Sequence, residues 1–261
     1  MAFNKGELIL DRVRSMSFSD LETGELLFRL TSLEEPTLNC TAESEEVTDA
    51  LGSVITTLYR AKKATFSATN SLLSLDLAAA QFGSKKEVAS TSAKITNYEY
   101  EILEANAGKI VLSKAAIADS IKYIYSLESG EVAKSFKQGA SVSATDFKID
   151  EDNKTISLPT GSDTGKFYVE YKTESENAVR VVNNASDFPS AAMVVIYAYF
   201  KDKCNENKVY SGKVICPKAK LNPESIELAL TSTGKHAFEL TMMKDYCDET
   251  NDELFEIVVA E

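Results

Sequence analysis

Hydrophobic and polar positions change period most sharply between Thr56 and Gly83. From Thr56 to Ser67, β-branched and aromatic residues mix with charged ones, and Leu58, Ala64, Phe66 and Ala68 keep even spacing. That is the period of a half-buried strand. Leu72, Leu75, Ala79 and Phe82 then recur at helical spacing, which predicts an amphipathic helix over Ser71–Phe82. Asn70 or Ser71 offers a capping side chain, and Gly83 a left-handed stop. The stretch holds no His, no Cys and no convergent acid–base set. It is built to pack.

Upstream, Leu8–Val13 and Glu25–Thr31 read as strands around the turn Asp20–Gly24. Pro36 breaks the chain after Glu34 and Glu35. Leu38–Gly52 holds Glu43, Glu45, Glu46 and Asp49 with only Val47 and Leu51 to bury, and reads as a long, acidic, exposed loop. Downstream, Ser84–Ser92 reads as a polar linker. Short strand candidates follow: alternating runs at Tyr98–Ile102, Ile121–Tyr125 and Phe167–Tyr171, a β-branched run at Lys109–Leu112, and Thr155–Leu158. Turn signals about every ten residues make this a small all-β module over 85–176. Ala191–Phe200 is the most apolar run and predicts a buried central strand, with Val209–Cys216 as its hairpin partner. Ile226, Leu228 and Leu230 alternate, as do Phe238 and Leu240, and Leu254–Val259 closes the chain. The simplest architecture is discontinuous. Residues 1–84 and 177–261 form one β domain with one principal helix, and 85–176 is inserted at a loop tip.

Composition narrows the classes. The chain has 261 residues, 44% hydrophobic and 26% charged, enough for a sizeable core in one or two domains. No apolar run approaches the ~20 residues of a membrane span. The N-terminus lacks the pattern of a secretory signal, so synthesis and folding in a cytoplasm are expected. Net charge is −12. Such a surface repels phosphate backbones and argues against sequence-specific nucleic-acid binding; it suits solubility, or a surface that lets nucleic acid pass without sticking.

Candidate chemistry is sparse. The four cysteines, Cys40, Cys204, Cys216 and Cys247, form no CxxC pair and are expected to be reduced structural thiols. A bridge between Cys204 and Cys216, which flank the predicted hairpin, is geometrically possible. His236 is the one histidine and is expected on a surface turn. Cys204, Cys216, His236 and Cys247 have the ligand number for zinc without its spacing. Asp163-Thr164-Gly165 matches the aspartic-protease triplet once, in a polar turn, whereas a dyad needs two carboxylates. Asn39, Asn153 and Asn184 begin glycosylation sequons with no export signal to use them. No catalytic, cofactor-binding or metal-binding residue is expected, and no enzyme.

The strand Glu25–Thr31, the loop Ser32–Ser53, the strand Thr56–Ser67, the helix Ser71–Phe82 and the strands from Ala191 onward follow one another in an order that resembles the tail tube (major tail) proteins of long-tailed bacteriophages. The resemblance implies a β-sandwich or open barrel flanked by a helix. It implies stacked, usually hexameric, rings around a channel that DNA crosses without specific binding, in a virion tail. It makes the middle module an inserted immunoglobulin-like domain. Partners would be copies of the chain and other tail proteins (tape measure, baseplate or tip, sheath), with no membrane. Glu43, Glu45, Glu46 and Asp49 would lie in a subunit-contact loop. The competing reading is a capsid- or tail-decorating adhesive protein that binds host-surface carbohydrate through Tyr98, Tyr100, Tyr123, Tyr125 or Tyr171. The absence of tryptophan weighs against strong sugar stacking.

Overall fold

The computed structural model of the chain describes residues 6–203, 205–224, 226–229, 234–246 and 252–260. In chain order the strands are β1 (Leu8–Ser19), β2 (Leu26–Leu30), β3 (Leu33–Thr48) and β4 (Val54–Asn70), followed by helix α1 (Leu75–Phe82). Next come β5 (Glu87–Val88), β6 (Ile95–Glu104), β7 (Lys109–Val111), β8 (Tyr123–Glu128) and β9 (Glu131–Gln138). Then follow β10 (Asp146–Ile149), β11 (Thr155–Ser157), β12 (Lys166–Ser175) and β13 (Val179–Arg180). The last four are β14 (Ala191–Asp202), β15 (Asn205–Leu221), β16 (His236–Met242) and β17 (Glu256–Ala260). The protein is mainly β, with one helix among the described residues. Contacts divide it into unit 1, Met1–Lys86 with Val181–Glu261, and unit 2, Glu87–Arg180.

Unit 1 is one antiparallel sheet in the order β2-β1-β14-β15-β16-β4-β3, with β17 also paired to β15. The path is barrel-like and nearly closed. Its two end strands, β2 and β3, are joined by Thr31-Ser32 alone, and the Ser71 amide donates to the Ser32 carbonyl at 2.8 Å. Met16, Phe18, Phe66, Val194, Ile196 and Leu240 point into the core, each at most 3% exposed. Ala191–Phe200 is the expected central strand, flanked by β1 and β15. Pro36 and Pro217 sit inside strands rather than ending them. Each falls at a register shift, Glu34/Thr37 and Ala192/Val194, where a bulge removes the need for a ladder N–H.

Helix α1 is shorter than its periodicity suggests. Ser74, not Asn70 or Ser71, is the N-cap; its hydroxyl accepts from the Leu77 amide at 3.2 Å. Leu72 and Leu75 are exposed, and the buried side is Leu77, Ala78, Ala79 and Gln81. Asn70 instead ends β4, where its amide donates to the Leu72 carbonyl. Gly83 closes the helix at φ +69, as its position predicts. Residues 226–229 form no strand: Leu228 makes one isolated bridge to His236, and Leu230 lies outside the described residues.

The segment read as the loop Ser32–Ser53 is mostly β3, a long strand laddered to β4 down to a tight turn at 49–52. Asp49 builds that turn. Its carboxylate accepts from the Leu51 and Ser53 amides at 2.9 and 2.8 Å, and Gly52 takes φ +83. The outer part of this strand is solvated on both faces, so its sequence lacks the alternation that marks a strand with one buried face.

Unit 2 is a seven-stranded sheet in the order β6-β12-β8-β9-β10-β11-β7, antiparallel except for the β9–β10 pair. Ile110, Ile124, Phe147, Ile156, Phe167 and Val169 fill its core. Phe167, Val169 and Tyr171 face inward as their alternation predicts. In β8 Ile124 is enclosed and Tyr123 points out, while Ile121, expected on the same face as Tyr123, is enclosed. Residues 84–92, read as a linker, include β5. It pairs with β13, where the Arg180 guanidinium donates twice to one Glu87 carboxylate oxygen, at 3.0 and 2.7 Å.

Candidate functional site

Beyond the Thr41–Lys63 pair, β3 and β4 leave the sheet as a two-stranded arm. β16 stops at Met242, opposite Ala64, so only β3 continues beside β4. The arm extends roughly 25 Å at about 3.4 Å per residue. Glu43, Glu45, Val47, Thr56, Leu58 and Arg60 alternate onto one side; Ser44, Glu46, Thr48, Thr57 and Tyr59 take the other, with Val54 opposite Thr48 beyond a bulge at Ile55. Almost every side chain is exposed. Leu51 at the tip is 91% exposed and Tyr59 75%. An isolated two-stranded ribbon is marginal in water, and this one displays apolar groups on both faces.

The four expected contact residues all lie on this arm. Glu43 approaches Lys63 at 3.8 Å, Glu45 pairs with Arg60, and Asp49 is held by its turn. Glu46 forms no ion pair among the described residues. The sequence reading missed the apolar set, Leu51, Val54, Ile55, Leu58 and Tyr59. Its trace is the density of β-branched and aromatic residues in Val54–Tyr59.

In unit 1, three strand edges are open among the described residues. β2 pairs only with β1, β17 only with β15, and β3 only with β4. Unpaired N–H and C=O rows of this length invite another strand.

His236 is not on a surface turn. It begins β16 and is fully enclosed. Its Nε2 lies 2.5 Å from Gln81 Oε1, and the Gln81 amide donates to the Ala237 carbonyl at 3.4 Å. The imidazole therefore fastens α1 to the sheet. Among the described residues Nδ1 has no partner, and burial pushes the pKa down, so the ring is neutral. A buried neutral histidine stabilises the fold fully above its unfolded pKa of about 6.5, and less as pH falls below it. We therefore expect the thermal midpoint of unit 1 to drop between pH 7 and 5. A His236→Gln chain should show a flatter dependence in the same range. Equal slopes would assign the acid sensitivity to other groups.

Cys216 is buried, and burial pushes its thiol up to about 12, far from a reactive thiolate. Cys40 is an exposed free thiol; Cys204 and Cys247 lie outside the described residues. Among the described residues no group of three His, Cys, Asp or Glu side chains could hold a metal, and no helix is long and apolar enough to cross a membrane. In unit 2, Tyr98, Tyr100 and Tyr123 are exposed and Tyr125 half-buried, but Tyr171 is enclosed. Its hydroxyl donates to Glu101.

The sequence model of the YomU/Tube protein family matches residues 8–257. The chain belongs to that family. The match agrees with the tail-tube resemblance of the strand order, and no curated protein matches the chain. YomU/Tube membership makes this a structural component of a phage tail, in a class that is not enzymatic. For a YomU/Tube chain, an arm with no cover and three open edges are features to be read as means of assembly.

Proposed function

We propose that the chain is a tail tube subunit that assembles into stacked rings, six subunits to a ring, around a channel that delivers DNA. The observation that carries this is the uncovered arm in a tube-family chain: it exposes Leu51, Ile55 and Tyr59 on a ribbon that a neighbouring copy would bury. Residues 1–84 with 177–261 would build the tube wall, and 85–176 would be an immunoglobulin-like module inserted into it. Glu43, Glu45, Glu46 and Asp49 would contribute to subunit contacts. The net charge of −12 favours a lumen that repels phosphates. Tape measure, baseplate or tip, and sheath proteins would be the heterologous partners.

Negative-stain electron microscopy of the purified chain, with light scattering on the same sample, tests this. Rings or hollow tubes of even diameter are expected. Reversing Glu43, Glu45, Glu46 and Asp49 to lysine should shorten or abolish them. Tubes of unchanged length and stability would remove these carboxylates from the contacts.

A second reading concerns unit 2. Tyr98 and Tyr100 on β6 share an outward face with Tyr168, whose ring lies 5.9 Å from that of Tyr100. Such a face suits an adhesive role towards host-surface carbohydrate.

A further inference from the structure

The outward face of β1, β14 and β15 is basic and aromatic in a chain of net charge −12. Register sets its rows. Arg12 lies opposite Tyr199; Ser15 lies opposite Tyr197, which lies opposite Lys213; and Ser17 lies opposite Arg29 on β2. Directly opposed residues share a face. The guanidinium groups of Arg12 and Arg14 stand 5.5 and 5.7 Å from the Tyr199 ring centre, and the Lys213 ammonium 5.9 Å from that of Tyr197. Arg29 donates to the Ser15 hydroxyl at 2.9 Å. Among the described residues Arg14, Arg29 and Lys213 form no ion pair, and Arg12 has only Asp11 at 3.8 Å. Asp11 is itself held by Lys201 at 2.7 Å.

The distal arm is its complement. Ser44–Tyr59 carries Glu45, Glu46 and Asp49 and no lysine or arginine. Glu46, Thr57 and Tyr59 share one side of it. An acidic ribbon with exposed apolar groups matches an aromatic floor ringed by unpaired cations, and within one chain the arm remains exposed. Resting on the tube reading above, we infer that the distal arm of one subunit docks on the β1–β14–β15 face of a second copy. Glu46 meets Arg14 and Lys213, and Tyr59 packs against Tyr197 and Tyr199. The same face could attract a phosphate backbone, but the acidic arm and the family's tube character favour a second copy.

The test uses the full chain. Arg14→Glu with Lys213→Glu, and separately Glu46→Lys, should each raise the critical concentration for assembly about tenfold. Combining them should recover part of that loss. A photo-reactive residue at position 51, with copies of two isotopic masses mixed, should cross-link to β1, β14 or β15 of another copy. If wild type assembles but cross-links elsewhere, or the charge swaps do not compensate, the docking site is wrong and the tube reading survives. If wild type stays monomeric at high concentration and forms no intermolecular cross-link, both fail. Duplex DNA binding lost in Arg14→Glu with Lys213→Glu, at unchanged assembly, would assign the face to nucleic acid instead.

Discussion

A chain in which Asn-Gly replaces Ser44–Tyr59 is expected to fold and to form no tubes. Glu43 and Arg60 are a directly opposed pair, so a two-residue turn can close the shortened hairpin between them. The excised segment contributes nothing to the core. Its side chains are exposed along its length, apart from half-buried Thr57, and the buried cluster of unit 1 draws on β4 only from Ala64 onward. The thermal midpoint should therefore stay within about 4 °C of wild type. Assembly should disappear at every concentration where wild type makes rings or tubes, because the strand edges and apolar tip that reach a neighbour are gone. Full-length tubes from the shortened chain would show that the arm is dispensable and that the open edges of β2 and β17 suffice.

The second large effect is at Gly83. This residue ends α1 in the left-handed region, which costs an L-residue about 1–2 kcal/mol. A Cβ there would also overlap the backbone N, C and O of Phe188, which lies just ahead of β14. Backbone cannot swing aside as a side chain can. Gly83→Ala is expected to cost about 3–5 kcal/mol in total, a large part of a typical domain's stability. Gly52→Ala provides the control. Gly52 has φ +83 at the arm's turn but nothing within 4 Å of a Cβ, so only the backbone term of about 1–2 kcal/mol applies. Urea denaturation of the two variants separates the effects. Equal losses would mean that Phe188 moves freely and that the close approach has no energetic weight.

Where one face of a strand is buried and the other wet, the sequence was readable. Phe167, Val169 and Tyr171 alternate because the core of unit 2 takes every second residue of β12. Ala64, Phe66 and Ala68 do so on β4 for the same reason, and the run at Ala191–Phe200 marked the central strand. The arm was illegible because burial imposes no period on it. Its acidic residues resembled a loop, and its pairing partner lies across a turn that only Asp49 and Gly52 announce. His236 was misplaced because Gly234 and Lys235 beside it signal a turn, whereas the contact that fixes it, Gln81, lies far away in sequence. The helix start moved because Leu72 and Leu75 fit a helical stripe by spacing alone, while the true cap is Ser74. The basic face went unseen because Arg12, Arg14, Arg29 and Lys213 become neighbours only through strand register.

The paired strands β5 and β13 have a practical meaning. Val88 lies directly opposite Val179, so the chain leaves for unit 2 and returns at points one strand spacing apart, about 5 Å. A folded cargo whose own termini lie together could be spliced between these strands in place of Ala89–Ala178 without lengthening the path through unit 1. The position is a ready-made socket. Enzymes, epitopes or binding domains grafted there would be repeated once per subunit along a self-assembling polymer, at a spacing set by the lattice.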